Sequence, residues 1–225
     1  MFVHRNFKGA VGWLVLFVCL VWFTGSAHGV ADFDRMLVTI TQRWGAGVTP
    51  VFNSWRSLIR NVSALPDAER LKRVNDFFNR QIKFGEDTVI WGQDDYWATP
   101  LETLGMGAGD CEDFVIAKFF TLREAGVAPE KLRLIYVRAK IGGALQSHMV
   151  LAYYAEPEAE PLVLDNLISE IRPASRRPDL TPVYSFNMEG IYSGVAGKND
   201  VKIGTIGRLS RWEDLLKRAR AEGFE

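Results

Sequence analysis

Apolar positions in the first third of the chain recur at helical spacing. From Asp32 to Trp44 they fall three or four residues apart, which is the period of one buried helix face. A second segment with this spacing opens at Pro50, and a third runs from Pro66 to about Gln81. Proline is common in the first turn of a helix. The pattern therefore predicts three helices in this part of the chain.

The stretch from Phe84 to Met106 loses this period. It is rich in glycine, aspartate and aromatic residues, and we interpret it as a loop region with at most a short strand. Helical spacing returns from Cys111 to Ala125, and Gly126 follows directly, as is common where a helix ends. We therefore predict a fourth helix that begins at Cys111.

Beyond this helix the period changes from helical to alternating. Leu132 to Ala139 alternates as a strand, and Gly142-Gly143 after it predicts a turn. Three further strands and a closing helix are predicted at His148 to Tyr154, Pro161 to Asp165, Tyr184 to Asn187 and Leu209 to Ala221. Helices followed by a meander of strands indicate an α+β fold with an antiparallel sheet.

The beginning of the chain has the order of a secretory signal peptide. Arg5 and Lys8 precede an apolar run from Val11 to Phe23, and small residues follow that run. The run is shorter than the roughly 20 residues that cross a bilayer, so we favour cleavage over retention as an anchor. We predict a signal peptide over residues 1–31, a single domain over 32–225, and no stable membrane span after cleavage.

Charge restricts the partners of the mature chain. The full sequence has 27 basic and 27 acidic residues, and loss of Arg5 and Lys8 leaves 25 basic residues, a net charge near −2. This balance argues against a strongly basic surface of the kind that binds nucleic acid. We expect no nucleic-acid partner.

Cleavage also simplifies the cysteine and histidine content. The sequence has two cysteines and three histidines, and only Cys111 and His148 lie beyond the predicted cut. One thiol cannot form an intramolecular disulfide, and one Cys with one His nearly excludes a structural zinc site. The remaining thiol is either a small buried hydrophobe or a reactive group.

The surroundings of Cys111 favour the reactive interpretation. Glycines precede it, and the predicted helix begins at it. A helix N-terminus presents free N–H groups and a positive dipole end, which favour a thiolate and can stabilise an oxyanion. His148 supplies the only imidazole beyond the predicted cut, and Asp165, closing the next apolar strand, can orient it. The alternative for Asp165 is a turn-forming aspartate before Asn166.

Four short motifs together resemble the bacterial transglutaminase-like cysteine proteinases. They are Trp97-Ala98-Thr99-Pro100, Gly109-Asp110-Cys111-Glu112-Asp113-Phe114, Ser147-His148-Met149-Val150 and Leu164-Asp165-Asn166. The resemblance spans roughly residues 44–186. It implies a transglutaminase/papain-like core, in which N-terminal helices and an antiparallel sheet pack on the helix that starts at the catalytic cysteine. It also implies that Cys111, His148 and Asp165 form the catalytic triad.

The same resemblance implies a calcium requirement, with Asp110 and Glu112 as metal ligands and Asp113 as a weaker candidate. Calcium takes six to eight oxygen ligands, so three carboxylates cannot complete its shell alone. The alternative is that Glu112 and Asp113 only complement the helix dipole. The family also implies that Trp97 helps to bind the oxyanion, and the alternative there is a core or rim tryptophan.

The function implied by the resemblance is calcium-dependent cleavage, in the periplasm, of a large surface adhesin near its membrane-proximal N-terminal region. Release of the adhesin would promote biofilm dispersal. An inner-membrane cyclic di-GMP receptor is the implied partner that sequesters the protease. The same triad chemistry also serves a transglutaminase or a cell-wall peptide amidase, because either water or an amine can resolve the thioester. An inactive calcium-binding adaptor is the remaining alternative.

Overall fold

The structure is a computed structural model that describes residues 1, 31–195, 201–205, 207 and 209–224. Almost all of the predicted signal peptide, residues 2–30, lies outside the described residues. Among the residues that are described, no helix combines the length and apolar character needed to cross a membrane.

The helices predicted from periodicity are present. The described α-helices are α1 (Phe33–Trp44), α2 (Thr49–Val62), α3 (Asp67–Gln81), α4 (Asp87–Ile90), α5 (Pro100–Met106), α6 (Cys111–Glu124) and α7 (Ser210–Glu222). Short 3-10 turns lie at Ala46–Val48, Pro129–Lys131 and Ala174–Arg176. The predictions for α1 to α3, α6 and α7 are therefore confirmed to within a few residues.

In the second half of the chain, the described residues form an antiparallel sheet of seven strands, ordered β6-β5-β4-β3-β7-β8-β9. Its strands are β3 (Leu132–Ile141), β4 (Ala144–Tyr153), β5 (Leu162–Leu164), β6 (Arg172–Pro173), β7 (Leu180–Phe186), β8 (Ile191–Tyr192) and β9 (Lys202–Gly204). Two short strands, β1 (Lys83–Phe84) and β2 (Ala108–Gly109), pair in parallel just before α6. The predicted α+β architecture is confirmed.

Helix α6 lies at the centre of the domain. Its residues from Asp113 to Leu122 are all buried, so it lacks the polar face of a surface helix. It packs against β4 of the sheet and against α3 and α5 on the helical side. A cluster of aromatic rings continues this core, where Trp212 of α7 lies edge-on to Phe119 and to Phe186. The helix that starts at Cys111 is thus held from both layers.

The prediction of a loop from Phe84 to Met106 is wrong, because α4 and α5 lie within it. Helix α5 begins with a capping box, in which the Glu102 N–H donates to Thr99 Oγ1 and the Thr99 N–H donates to Glu102 Oε2. Its first five residues are all buried, and a helix buried on every side shows no one-sided period. The capping box was the available signal for this helix.

The predicted start of the strand at His148 is also wrong. Strand β4 begins at Ala144, directly after the Gly142-Gly143 turn in which both glycines have positive φ, so His148 lies at its middle. The first four residues of β4 are exposed and the last six are buried, which explains why hydrophobicity revealed only the second half.

Candidate active site

At the start of α6, strand β2 approaches the first turn of the helix closely. Asp110 is the N-cap, its side chain makes no capping hydrogen bond, and Cys111 is the first helical residue. A Cβ atom at Gly109 would lie 2.7 Å from Cβ of Asp113, closer than two carbons can approach. Glycine at this position therefore lets the first turn of α6 fold back against the approaching strand β2.

Cys111 is a half-buried free thiol at the wall of a cavity of about 750 Å³. The thiol donates a hydrogen bond of 2.9 Å to Glu112 Oε2. Burial and the charges of Glu112 and Asp110 raise the pKa of this thiol, whereas the Met149 N–H lowers it. The carboxylates thus oppose the thiolate that the helix N-terminus alone would favour.

His148 and Asp165 form a buried hydrogen-bonded pair. His148 Nε2 lies 2.8 Å from Asp165 Oδ1, and the two side chains are 4% and 0% exposed. Because Nε2 faces the carboxylate, Nδ1 is the ring nitrogen left for the thiol. His148 lines the same cavity as Cys111, and its neighbour Met149 supplies the N–H that favours the thiolate. The structure therefore brings the three predicted catalytic residues to one place.

The Asp165 carboxylate has two more partners. The Leu167 N–H donates to Oδ1 at 3.0 Å, and Arg177 Nη2 lies 2.7 Å from Oδ2. Burial alone would raise the pKa of Asp165, but the bonds from His148, Leu167 and Arg177 lower it to about 2. Asp165 is thus both the acceptor for His148 and the turn residue of the alternative interpretation. Sequence reasoning missed Arg177, which lies twelve residues further along the chain.

The backbone carbonyl of Asp165 is fixed from the helical layer. Asn79 Nδ2 of α3 donates to it at 2.8 Å, and Lys118 Nζ of α6 donates to it at 3.1 Å. Burial lowers the pKa of Lys118 to about 7, against the charge of Asp165, which raises it. These bonds tie the end of β5 to the helix that carries Cys111, which fixes the position of Asp165 relative to the thiol.

Several carboxylates converge around the start of α6. Oxygen atoms of Asp87, Asp110 and Asp113 lie within 4.8 Å of one another, and so do those of Asp87, Asp95 and Glu112. Burial and mutual repulsion raise the pKa of Asp87 to about 6 and that of Asp110 to about 9, and burial raises that of Asp113 well above its usual value. So many close acids are unfavourable without a compensating cation.

The free oxygens of this cluster fit a calcium ion. Three of its buried oxygens have no hydrogen-bond partner among the described residues, namely Asp87 Oδ1, Asp110 Oδ1 and Asp113 Oδ2. The other oxygens of Asp87 and Asp113 accept hydrogen bonds from the N–H groups of Tyr96 and Ala98. Calcium prefers carboxylate oxygens of this kind. Asp87 was missed from the sequence because α4, which carries it, reaches the site only through the tertiary fold.

Trp97 lies at the cavity wall and in the core at once. Its side chain is 7% exposed, and its ring stacks on Phe186 with centroids 5.6 Å apart. It also lines the cavity beside Cys111. The position is compatible with the predicted oxyanion role and with the rim tryptophan of the alternative.

Comparisons with known proteins point to one family. The family described as bacterial transglutaminase-like cysteine proteinase matches residues 59–180. LapG of Legionella pneumophila has a solved structure with a TM-score of 0.71 and 38% identity, over 84% of this chain and 98% of LapG. Its EGTA-treated form gives 0.73 and 39% over the same shares of both chains. Its calcium-bound form gives 0.69 and 38%, over 83% of this chain and 98% of LapG.

No curated protein sequence matches this chain. The family match nevertheless includes Cys111, His148, Asp165 and the clustered acids, and the structural match extends over most of the domain. The chain belongs to the bacterial transglutaminase-like cysteine proteinases.

Proposed function

We propose that this chain is a calcium-dependent cysteine endopeptidase with Cys111 as nucleophile, His148 as base and Asp165 as the residue that orients the histidine. The proposal rests on the arrangement of a thiol, an imidazole and a carboxylate at one cavity. A thiol at the N-terminus of a buried helix shares a cavity with an imidazole whose far nitrogen is 2.8 Å from a carboxylate. This is the arrangement that nucleophilic acyl transfer requires.

The chemical steps follow from these positions. His148 Nδ1 takes the thiol proton, and the Cys111 sulfur attacks the carbonyl carbon of the scissile peptide bond. The resulting oxyanion is stabilised by N–H groups at the start of α6, with Trp97 as a further donor. His148 returns the proton to the leaving amine, and the thioester forms. Water then attacks the thioester, giving its proton to His148, and the acid product leaves with the thiol restored.

Asp165 acts through the histidine. Its contact with Nε2 holds the ring with Nδ1 toward the thiol and stabilises the imidazolium. Arg177 and the Leu167 N–H keep the carboxylate charged, which its depressed pKa reflects. The charged carboxylate can therefore stabilise the imidazolium that forms when His148 takes the thiol proton.

Calcium is the cofactor that we propose for the acidic cluster. Asp87, Asp110 and Asp113 would hold the ion through their unpartnered oxygens, with Glu112 and Asp95 beside them. When bound, calcium would supply positive charge that offsets the carboxylate repulsion and so favours the Cys111 thiolate. The calcium-bound and EGTA-treated LapG structures support calcium as the ion, and the unpartnered oxygens support these residues as its ligands.

The substrate, compartment and regulation are proposed from the family resemblance. We infer that the protein acts in the periplasm after signal cleavage, on a large surface adhesin near its membrane-proximal N-terminal region. The cut would release the adhesin and promote biofilm dispersal. An inner-membrane cyclic di-GMP receptor would hold the protease inactive when that messenger is abundant.

The test is incubation of the purified protein with the N-terminal region of a candidate adhesin from the same genome. We expect cleavage at one site with calcium, none with a chelator, restoration when calcium is returned, and none with Cys111→Ala. New peptide termini would identify a protease or amidase, whereas ammonia release with crosslinks would identify a transglutaminase. Tight binding of a partner protein without turnover, unchanged in Cys111→Ala, would instead indicate the adaptor.

A further inference from the structure

We propose that the substrate binds as an extended strand along the open edge of β4, hydrogen-bonded to the main chain of Leu145 and Ser147. This inference rests on the proposed endopeptidase function, and it names how the peptide is held. The chemistry recognised is the repeating N–H and C=O groups of an extended polypeptide. Side chains of the substrate then serve only to choose among such segments.

The edge is open because β5 is much shorter than β4. Strand β5 pairs with β4 only from Leu151 to Tyr153. On its other side β4 pairs with β3 over its whole length, from Ala144 to Tyr153. In the described structure, no strand therefore lies beside the first seven residues of β4 on the β5 side.

Two hydrogen bonds show which main-chain groups of β4 face this edge. The Lys140 N–H of β3 donates to the Asp179 carbonyl at 2.8 Å, so it points away from β4, and its cross-strand partner is Leu145. In an antiparallel pair, both residues then direct their main-chain groups outward. The Tyr154 N–H donates to the Lys131 carbonyl at 2.8 Å, on the β3 side.

Main-chain groups point alternately to the two sides of a strand, so both hydrogen bonds assign the same residues of β4 to its open edge. Residues an even number of positions from Tyr154 face β3, and those between them face the β5 side. Leu145, Ser147 and Met149 are in the second set, as is Leu151, which pairs with Leu164 of β5. The main-chain groups of Leu145 and Ser147 thus point outward, away from β3, at the open edge.

Met149 connects this edge to the reacting atom. Its N–H is the group that favours the Cys111 thiolate, so the sulfur lies beside the strand where β5 has ended. Ser147 and Met149 line the same cavity as Cys111, and Leu145 next along the edge is 59% exposed. A strand added to Leu145 and Ser147 would therefore run directly past the thiol.

Strand addition at a sheet edge is a general mode of peptide recognition, in which main-chain bonds supply affinity and alternate side chains supply specificity. An endopeptidase must hold its peptide extended across the nucleophile, and this edge provides the support. Apart from Leu145, the exposed residues of this edge are small or polar, namely Ala144, Gln146 and Ser147. This composition favours a transient peptide over a permanent partner.

The first test is an N-methyl scan of the peptide substrate. A synthetic peptide that spans the mapped cleavage site would carry one N-methylated amide at each position in turn, and kcat/KM would be measured with calcium. An N-methyl group removes one donor and blocks strand pairing at one edge only. We expect losses of about tenfold at alternate positions on one side of the cut, with little change between them. Losses without a two-residue period would overturn the proposal.

The second test removes the donor from the protein. Leu145→Pro lacks the N–H, whereas Leu145→Ala keeps it and loses only the side chain, so the ratio of their kcat/KM values isolates the main-chain bond. Proline is tolerated at this position because the N–H does not face β3. We expect Leu145→Pro to be about five- to tenfold less active than Leu145→Ala. Equal values would contradict the inference.

Further measurements distinguish peptide pairing from a distorted thiol site and from dimer formation. The alkylation rate of Cys111 by iodoacetamide reports on the thiol without a bound peptide. If Leu145→Pro loses as much of this rate as it loses of kcat/KM, the thiol site is distorted and the assignment is overturned. If Leu145→Pro does not fold, the N-methyl scan decides alone.

The edge could instead pair with a second copy of the chain. In that case sedimentation would show a dimer that is lost in Leu145→Pro, while cleavage by Leu145→Pro would equal that by Leu145→Ala. If the unmodified peptide is not cleaved, the proposed function itself fails.

Discussion

Arg177 Nη2 lies 2.7 Å from Asp165 Oδ2, in an ion pair whose side chains are 1% and 0% exposed. Arg177 is also paired with Asp179, so its guanidinium bridges a buried and a partly exposed carboxylate. A buried charge without its partner is costly, since it can recover neither hydration nor attraction. The arginine therefore supports the charged form of the carboxylate on which His148 depends.

Replacement of this arginine should destabilise the protein in a pH-dependent way. The pKa of Asp165 is held at about 2, below its ordinary value, so its contribution to stability is present above pH 4 and is lost toward pH 2. We expect Arg177→Met to lower the free energy of unfolding by about 3 kcal/mol at pH 7, and by less near pH 2. Urea unfolding at several pH values measures this difference.

Arg172 offers a matched control, because its pair with Glu170 is mostly exposed. Arg172→Met should change stability by less than about 1 kcal/mol at any of these pH values. A loss in Arg177→Met that is the same at pH 7 and pH 2 would mean that the charge of Asp165 is not the cause.

Asp87 should be a calcium ligand whose removal has opposite effects with and without the metal. The pKa of Asp87 is raised to about 6 by burial and by neighbouring acids, so Asp87→Asn relieves repulsion. We expect the variant to bind calcium at least about tenfold more weakly in calorimetric titration, because one anionic ligand is lost. With a chelator present, its melting temperature should instead exceed that of the parent protein.

Asp34→Asn is the control for this experiment, since the Asp34 side chain is 88% exposed and does not belong to the acidic cluster. Its calcium affinity should match that of the parent protein. Unchanged affinity in Asp87→Asn would remove Asp87 from the ligand set.

Arg218 should strengthen calcium binding from a distance. Its guanidinium donates to the Trp97 carbonyl and to Glu102, and so holds the segment from Tyr96 to Ala98 whose N–H groups orient Asp87 and Asp113. We expect Arg218→Met to weaken calcium binding by about three- to tenfold, because the ligands are retained but are less well oriented. Lys217→Met, at an exposed position on the same helix, is the control. An Arg218→Met protein that is less stable but binds calcium normally would limit Arg218 to a structural role.

Glu222 should make the protein less stable as pH rises through neutrality. Burial raises its pKa to about 7, and one of its oxygens has no partner among the described residues. A raised pKa in the folded state means that its contribution to stability is full below about pH 4.5 and is lost as pH rises past 7. Glu222→Gln should therefore be more stable than the parent at pH 8, by about 2 kcal/mol, and similar to it at pH 4. Thermal melts at both pH values test this, and an equal difference at the two would contradict it.

Periodicity predicted the elements that bury one face. Helices α1 to α3 carry an apolar stripe, and β3 alternates, so their positions could be read from the sequence. Helix α5 could not, because it is buried nearly all round and only its capping box marks it. The exposed half of β4 was missed for the opposite reason, since it buries nothing.

The candidate site also contains some residues that the sequence identified and others that it did not. Cys111 and His148 were identified because each is the single residue of its type beyond the predicted signal peptide. Arg177 and Asp87 were not identified, because arginine and aspartate are common and neither residue lies in the four motifs that resemble the family. Both gain their significance from burial beside a charge, which depends on the tertiary fold.

The unpaired edge of β4 has a further consequence for the molecule in concentrated solution. Exposed strand edges are where sheets of separate molecules join, and proteins restrict them to avoid aggregation. Here the outward groups belong to two residues, and the hairpin turns at Gly142-Gly143 just beyond them. At the other end of the edge, the Met149 N–H is hydrogen-bonded to Cys111 at the start of α6. The opening is thus long enough to accept a few residues of peptide and too short to template the growth of a neighbouring sheet.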